Sequence, residues 1–216
     1  MNKIINLEIL DVAFIYADTE IEALNTKELV PKMVTRRRLT RAAKIVIYLA
    51  DKVSFKEGRI VYGSSFGELT ATANILNAIN NKEGISPTHF QNSVYNTAVS
   101  YLSMLYGNTN EILTVSSGAN TSLNVLKSGA IKAMDGDEIL LLATETLNID
   151  GIEEVNNCLD YLECGVALKV KMSEKESTID SDTFKKEKGL PLSVQDMFVI
   201  AQNIDSSKKN IIEVRL

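Results

Sequence analysis

The run Ile139-Leu-Leu-Leu-Ala143 constrains this chain more than any other segment. A one-faced strand needs a polar side and this run has none, so the segment from Asp137 to Thr144 belongs inside a sheet covered on both faces. Further strand candidates flank it. Ile9 to Ala17, Arg59 to Ser65 and Glu111 to Val115 read as strands, and Gly165 to Met172 alternates Val166, Leu168 and Val170 with Ala167, Lys169 and Lys171, as a half-exposed strand does. Between them apolar residues recur at three and four positions, over Leu39 to Val53, Gly67 to Asn80, Phe90 to Leu105 before Gly107, and Asn120 to Met134. Strands alternating with helices predict an α/β chain with a mainly parallel sheet and right-handed crossovers.

At 216 residues and 45% hydrophobic content, the chain can bury one sizeable core. Its formal charge of -5 gives no global attraction to nucleic acid or anionic membrane. No run approaches the roughly 18 apolar residues of a membrane span. Met1 to Tyr16 mixes Lys3, Glu8 and Asp11 into its apolar residues and lacks a small-residue cleavage site, so a cytoplasmic location is expected. Cys158, Cys164 and the single histidine, His89, give neither a disulfide framework nor zinc spacing, and no metal or cofactor is expected. Ser173 to Gly189 is rich in charge and reads as a solvated excursion. Beyond Pro191, the apolar positions from Val194 to Ile204 suit a helix and Asn210 to Leu216 a terminal strand. The expected division is a domain over 1–172, a charged linker or excursion over 173–190, and a helix-and-strand appendage over 191–216, with no internal repeat.

Four segments in order carry a resemblance. They are Met33-Val-Thr-Arg-Arg-Arg-Leu-Thr-Arg-Ala-Ala43, Gly63-Ser-Ser-Phe-Gly-Glu-Leu69, Ile85-Ser-Pro-Thr-His-Phe-Gln-Asn-Ser-Val-Tyr-Asn-Thr-Ala98, and Val115 to Leu123 followed by Glu145 at the end of the next strand. Together, over about residues 9 to 172, they resemble the short ketoacyl-synthase N-terminal-like group, similar to chain-length factors. The third segment is the most specific, being similar to the Ser-Pro-x-x-Phe-x-x-Ser-Val-x-Asn motif of condensing enzymes. The resemblance implies half of a thiolase-like fold, a five-stranded sheet flanked by helices. A full condensing enzyme has two such halves, with the nucleophilic cysteine in the first and two histidines in the second. His89 matches neither histidine, so the catalytic second half is expected to be absent.

The resemblance also says where chemistry should be sought. The elbow position of the cysteine is held by Ala119, and no catalytic residue is expected there; Gly118 and Ala119 read equally as a tight strand-to-helix turn. Ser116, Ser117, Thr121 and Ser122 offer hydroxyls, but nothing in the spacing singles one out as a nucleophile with a base and an orienting third group. Family members often accompany aryl polyene or related pigment and lipid pathways, and in condensing enzymes the motif helix and elbow lie close to the dimer interface. His89, Phe90, Asn92, Ser93, Asn96, Gly118, Ala119 and Asn120 are therefore the candidate interface or pocket. Removal of a second half should also uncover apolar helix surface that needs a cover. Arg36, Arg37, Arg38 and Arg41, with Lys32 and Lys44, read either as a docking site for an acidic acyl carrier protein or as a solvated helix face with some internal ion pairs. The expected role is a non-catalytic subunit assisting fatty acid, polyketide or aryl-polyene-type synthesis, as a homodimer or as a heterodimer with a catalytic ketoacyl synthase. The alternatives are an acyltransferase or thioesterase with a non-standard nucleophile, or a homodimeric scaffold.

Overall fold

The computed structural model describes residues 3–147, 160–177, 188–204 and 210–216. The chain enters through the long strand β1 (Ile4–Ala17), makes the single-turn helices α1 (Thr26–Leu29) and α2 (Met33–Arg36), and continues into α3 (Arg41–Lys52). Then follow β2 (Arg59–Gly63), α4 (Leu69–Asn80), α5 (Pro87–Asn92), α6 (Thr97–Tyr106) and β3 (Ile112–Val115). A 3-10 turn at Gly118–Asn120 leads into α7 (Thr121–Ala133), and β4 (Ile139–Thr146), β5 (Glu163–Ser173), α8 (Leu192–Asn203) and β6 (Ile211–Arg215) complete the order.

Every residue of β4 is buried, as its uniformly apolar sequence requires. It stands inside a six-stranded sheet of order β3-β2-β4-β5-β1-β6. Strand β2 pairs parallel with β3 and β4, while β5 runs antiparallel to β4 and β1, and β6 antiparallel to β1. Strands β1 to β4 thus share one direction and β5 and β6 oppose it, so the sheet is mixed, with four of six strands running one way and its parallel pairings confined to β3, β2 and β4. The α/β half-fold that the resemblance implies is present, and the terminal strand raises the count from five to six by hydrogen-bonding along β1.

Side-chain alternation on β4 divides the core in two. Ile139, Leu141 and Ala143 join the apolar cluster that includes residues of α7 and α8, whereas Leu140 and Leu142 join the one built on α3 and α6. Each fully buried leucine contributes about 1.5–3 kcal/mol by leaving water. Helix α3 starts where its sequence says it should: the Thr40 hydroxyl accepts from the Ala43 N–H at 3.1 Å, an N-cap worth about 1 kcal/mol.

Two expectations are corrected by packing. Of the apolar helix surface that loss of a second half is expected to uncover, the part on α7 is covered from within the chain, because α8 buries Val194, Met197, Phe198 and Ala201 in the same cluster as Val125 and Leu126. The two helices are tied reciprocally: Ser122 Oγ donates to Asp196 Oδ2 at 3.1 Å and accepts from the Asp196 N–H at 3.2 Å. Helix α8 and β6 therefore build the same sheet-and-helix layer as the rest of the chain. The single helix expected from Phe90 to Leu105 is two helices, α5 and α6. At the break, Ser93 Oγ donates to the Phe90 carbonyl at 2.9 Å and Thr97 Oγ1 to the Asn92 carbonyl at 3.2 Å, side-chain bonds that compete with continuous helix. Of the charged stretch 173–190, residues 178–187 lie outside the described residues, as does Cys158.

Candidate functional site

The parallel strands β3, β2 and β4 end together, and the loops that leave their carboxyl ends gather at one edge of the sheet. Ligand sites in α/β sheets form at such ends. The turn after β2 carries Ser64 to Gly67, the turn after β3 carries Ser116 to Asn120, and β4 delivers Glu145.

Close approach of α7 to β2 shapes this edge. A Cβ at Gly63 would stand 2.6 Å from Val125 Cγ2 and 2.7 Å from Thr121 Cγ2, so only glycine lets the helix start rest on the strand. Thr121 Oγ1 then accepts from the Ser117 N–H at 3.0 Å and donates to the Gly118 carbonyl at 2.8 Å. Gly118 has φ +55°, the left-handed conformation that glycine adopts without a Cβ clash. Ser116, Ser117, Gly118, Ala119 and Asn120 are all exposed, and the Ala119 methyl faces open surroundings at the start of a helix. The turn is a tight strand-to-helix elbow with Ala119 exposed in it.

Beneath the elbow, Glu145 is buried and holds the turn after β2. Its carboxylate accepts from the Ser65 N–H at 2.6 Å, from Ser64 Oγ at 2.9 Å and from the Phe66 N–H at 3.3 Å. The Ser193 hydroxyl of α8 comes close to the same carboxylate without reaching hydrogen-bond geometry. Burial pushes the Glu145 carboxyl above its ordinary range, and the hydrogen bonds pull it back. Its oxygens are engaged in positioning backbone. Cys164, on neighbouring β5, is buried with its thiol pushed up by burial, the behaviour of an inert core cysteine.

Glu68, at the joint between the β2 turn and α4, is the second buried carboxylate of this edge. Burial pushes it up to about 7, opposed by a hydrogen bond from Thr40 Oγ1 at 2.7 Å. Sequence reasoning passed over Glu68 and the bonding of Glu145. The available signals were an acid set between Gly67 and Leu69, and an acid in register with Leu141 and Ala143 on a strand of buried side chains.

The candidate interface residues fall into two groups. His89, Phe90 and Asn92 lie on α5 with Ser93 at its end and Asn96 leading into α6, while Gly118, Ala119 and Asn120 form the elbow. The link between the groups runs through the Ser65 carbonyl, which accepts from the Tyr95 hydroxyl at 3.3 Å and, more weakly, from Ser116 Oγ at 3.5 Å. Asn92 is structural, its Oδ1 accepting from the Tyr101 hydroxyl at 3.2 Å. Phe90 is 69% exposed, and Phe66, Leu76, Ile79, Ile85, Val94 and Tyr95 are exposed on the same α4–α5 excursion.

The basic cluster also divides. Arg41 is bound up in the fold: its Nε donates to Glu163 Oε1 at 2.8 Å, its guanidinium pairs with Glu20 at 2.6 Å, and its Nη2 donates to the Ile21 carbonyl. Arg36 donates to the carbonyls of Val30 and Pro31. Arg37 and Arg38 are exposed, with exposed Met33 and Val34 just before them. Among the described residues, no helix is long and apolar enough to cross a membrane, and no group of three or more histidine, cysteine or acidic side chains could hold a metal ion.

Residues 16–207 match the family described as beta-ketoacyl synthase, N-terminal domain, a span that runs on through α8. No curated protein matches the chain. Among solved structures, a ketosynthase (ApeO) in complex with its chain length factor (ApeC) from Xenorhabdus doucetiae is similar with a TM-score of 0.70 at 21% identity, over 95% of this chain and 97% of that one. The ishigamide ketosynthase/chain length factor is similar with a TM-score of 0.63 at 11% identity, over 79% of this chain and 63% of that one. A type II polyketide synthase acyl carrier protein in complex with its ketosynthase bound to the hexaketide, AntDE:AntF, gives 0.60 at 12% identity, again over 79% and 63%. This chain thus spans less than two thirds of the latter two chains.

Proposed function

The chain belongs to the beta-ketoacyl synthase N-terminal domain family, and from that premise we propose that it is a non-catalytic, chain-length-factor-like subunit that docks on a catalytic ketoacyl synthase. In that role it assists carbon–carbon bond formation in fatty acid, polyketide or aryl-polyene-type synthesis. The observation that carries this reading is the pairing, at one end of the sheet, of a nucleophile-free elbow with an uncovered apolar excursion. Condensation begins with thiolate attack, and the Ala119 methyl has no lone pair to offer. Beside it, α4 and α5 expose large apolar side chains of the kind that mark protein interfaces. Strand β3 lies at the sheet edge, so one row of its backbone groups has no strand neighbour among the described residues. The named assemblies of ketosynthase with chain length factor and of ketosynthase with acyl carrier protein support a synthase partner and a carrier protein for this chain as well.

Within the basic cluster, Arg37 and Arg38 with Met33 and Val34 suit an acidic carrier-protein helix, since both charge and apolar anchors are open to solvent there. Reversing Arg41 would be a poor test of docking, because it leaves Glu163 buried and unpaired. Co-expression with a catalytic ketoacyl synthase should give one complex by sedimentation, and the double variant Ile79→Ser, Phe90→Ser should weaken it by roughly tenfold or more. A stable monomer that retains no synthase overturns the reading. So does a covalent acyl adduct on this chain, seen by mass spectrometry after incubation with an acyl carrier thioester.

A further inference from the structure

Helix α4 has 12 residues and buries one of them, Ala71. Its attachment to the domain is the joint before it, where Gly67 and Glu68 are buried. The joint converges on one hydroxyl. Thr40 Oγ1 accepts from the Ala43 N–H at the start of α3 and donates to Glu68 Oε1 at 2.7 Å, so the group that caps α3 also anchors α4. The Glu68 carbonyl in turn accepts from both the N–H and the hydroxyl of Thr72, each at 3.1 Å, which closes the first turn of α4. Side chain and backbone of one residue therefore hold a helix that little else buries.

The surroundings of the Glu68 carboxyl are poor in counter-charge. Tyr62 of β2 and Tyr101 of α6 face it, Arg38 acts on Tyr101 from the segment before α3, and Glu145 of β4 acts on the same Tyr62. Among the described residues no cation pairs with Glu68. A buried carboxyl without a cation is comfortable neutral and strained when ionised.

Resting on the docking role argued above, we propose that Glu68 is a protonation latch for the α4–α5 face. Neutral, it stays against Thr40 and fixes α4 in the docking pose. Ionised, having given its proton to solvent, it is drawn toward water and frees the first turn of the helix. Burial places the carboxyl at about 7, so the latch works across the physiological range.

Two measurements test it. In the full chain alone, amide hydrogen exchange corrected for intrinsic rates should show protection of the first α4 turn, read at Thr72, falling about tenfold between pH 6 and pH 8, one unit past the midpoint. Glu68→Gln should hold that protection level, and Thr40→Val should lower it already at pH 6. Affinity for a co-expressed catalytic ketoacyl synthase should weaken over the same pH step only as far as the unlatched fraction grows, by less than about tenfold while protection persists, and stay flat in Glu68→Gln. Equal α4 protection at the two pH values in the wild type overturns the latch, as does a Glu68→Gln variant that keeps the wild-type pH slope. If protection follows pH but no synthase binds at any pH, the latch stands and the docking role falls. Should the variants fail to fold, the carboxyl-carbon NMR titration of Glu68 in the wild type decides: a midpoint near 4.5 overturns the latch and one near 7 supports it.

Discussion

Helices α4 and α7 are nearly equal in length, at 12 and 13 residues, and both carry apolar side chains at helical spacing, yet α7 buries seven residues and α4 only Ala71. The difference lies in where each helix meets the sheet. Helix α7 lies against β2 across Gly63 and is closed on its flank by α8, so Val125 and Leu126 find neighbours within the chain. Helix α4 leaves the sheet edge at Glu68 and packs chiefly on α5, which is itself exposed. Apolar periodicity states that a helix has a partner; it does not state that the partner belongs to the same chain.

The same residue type on the two helices gives the sharpest contrast. Leu126→Ala on α7 should destabilise the isolated chain by about 2–5 kcal/mol, through lost burial and the cavity left behind, as read by urea unfolding. A loss under about 1 kcal/mol would mean that α7 is not the anchored helix of the pair.

The joint of α4 should respond with pH. The folded Glu68 carboxyl sits at about 7, above its ordinary 4.5, so its contribution to stability is complete below about 4.5 and is lost as pH rises through about 7. Glu68→Gln removes that loss. It should be more stable than the wild type at pH 8 by up to about 3 kcal/mol, with the gap closing by pH 4.5. A gap that is constant with pH would place the residue in water and erase the contrast at its root.

The smallest effect belongs to α4 itself. Leu76→Ala, at a position 55% exposed, should change the stability of the isolated chain by no more than about 0.5 kcal/mol. A loss comparable to that of Leu126→Ala would show that the chain covers α4 after all.

Much of the architecture was legible because it rests on local patterns. The run Ile139-Leu-Leu-Leu-Ala143 demanded a strand covered on both faces, and β4 is one. The alternation of Gly165 to Met172 and the period of Asn120 to Met134 each found their elements, although β5 begins two residues earlier and is buried on both faces as far as Leu168, not half-exposed throughout, and α7 ends at Ala133. The break between α5 and α6 was hidden because Ser93 and Thr97 act through hydroxyl bonds to backbone, which periodicity does not register. At the candidate site, the alanine at position 119 could be read directly, since residue identity is a fact of composition, while its place as the nucleophile position is what the resemblance implies. The separation of Arg37 and Arg38 from Arg36 and Arg41 could not. It depends on Glu163, 122 residues away from Arg41, and on carbonyls that only the folded chain presents.

By itself, then, the sequence determined the alternation of strands and helices, the double-sided burial of β4 and the methyl at the elbow, because each is set by side-chain chemistry over a few neighbouring residues. Tertiary structure alone decided the direction of β5 and β6, the covering of α7 by α8, the engagement of Arg41 with Glu163 and the burial of Glu68 beside Thr40. Those outcomes depend on segments far apart in the chain meeting at hydrogen-bond and van der Waals distance, and local patterns carry no record of such meetings.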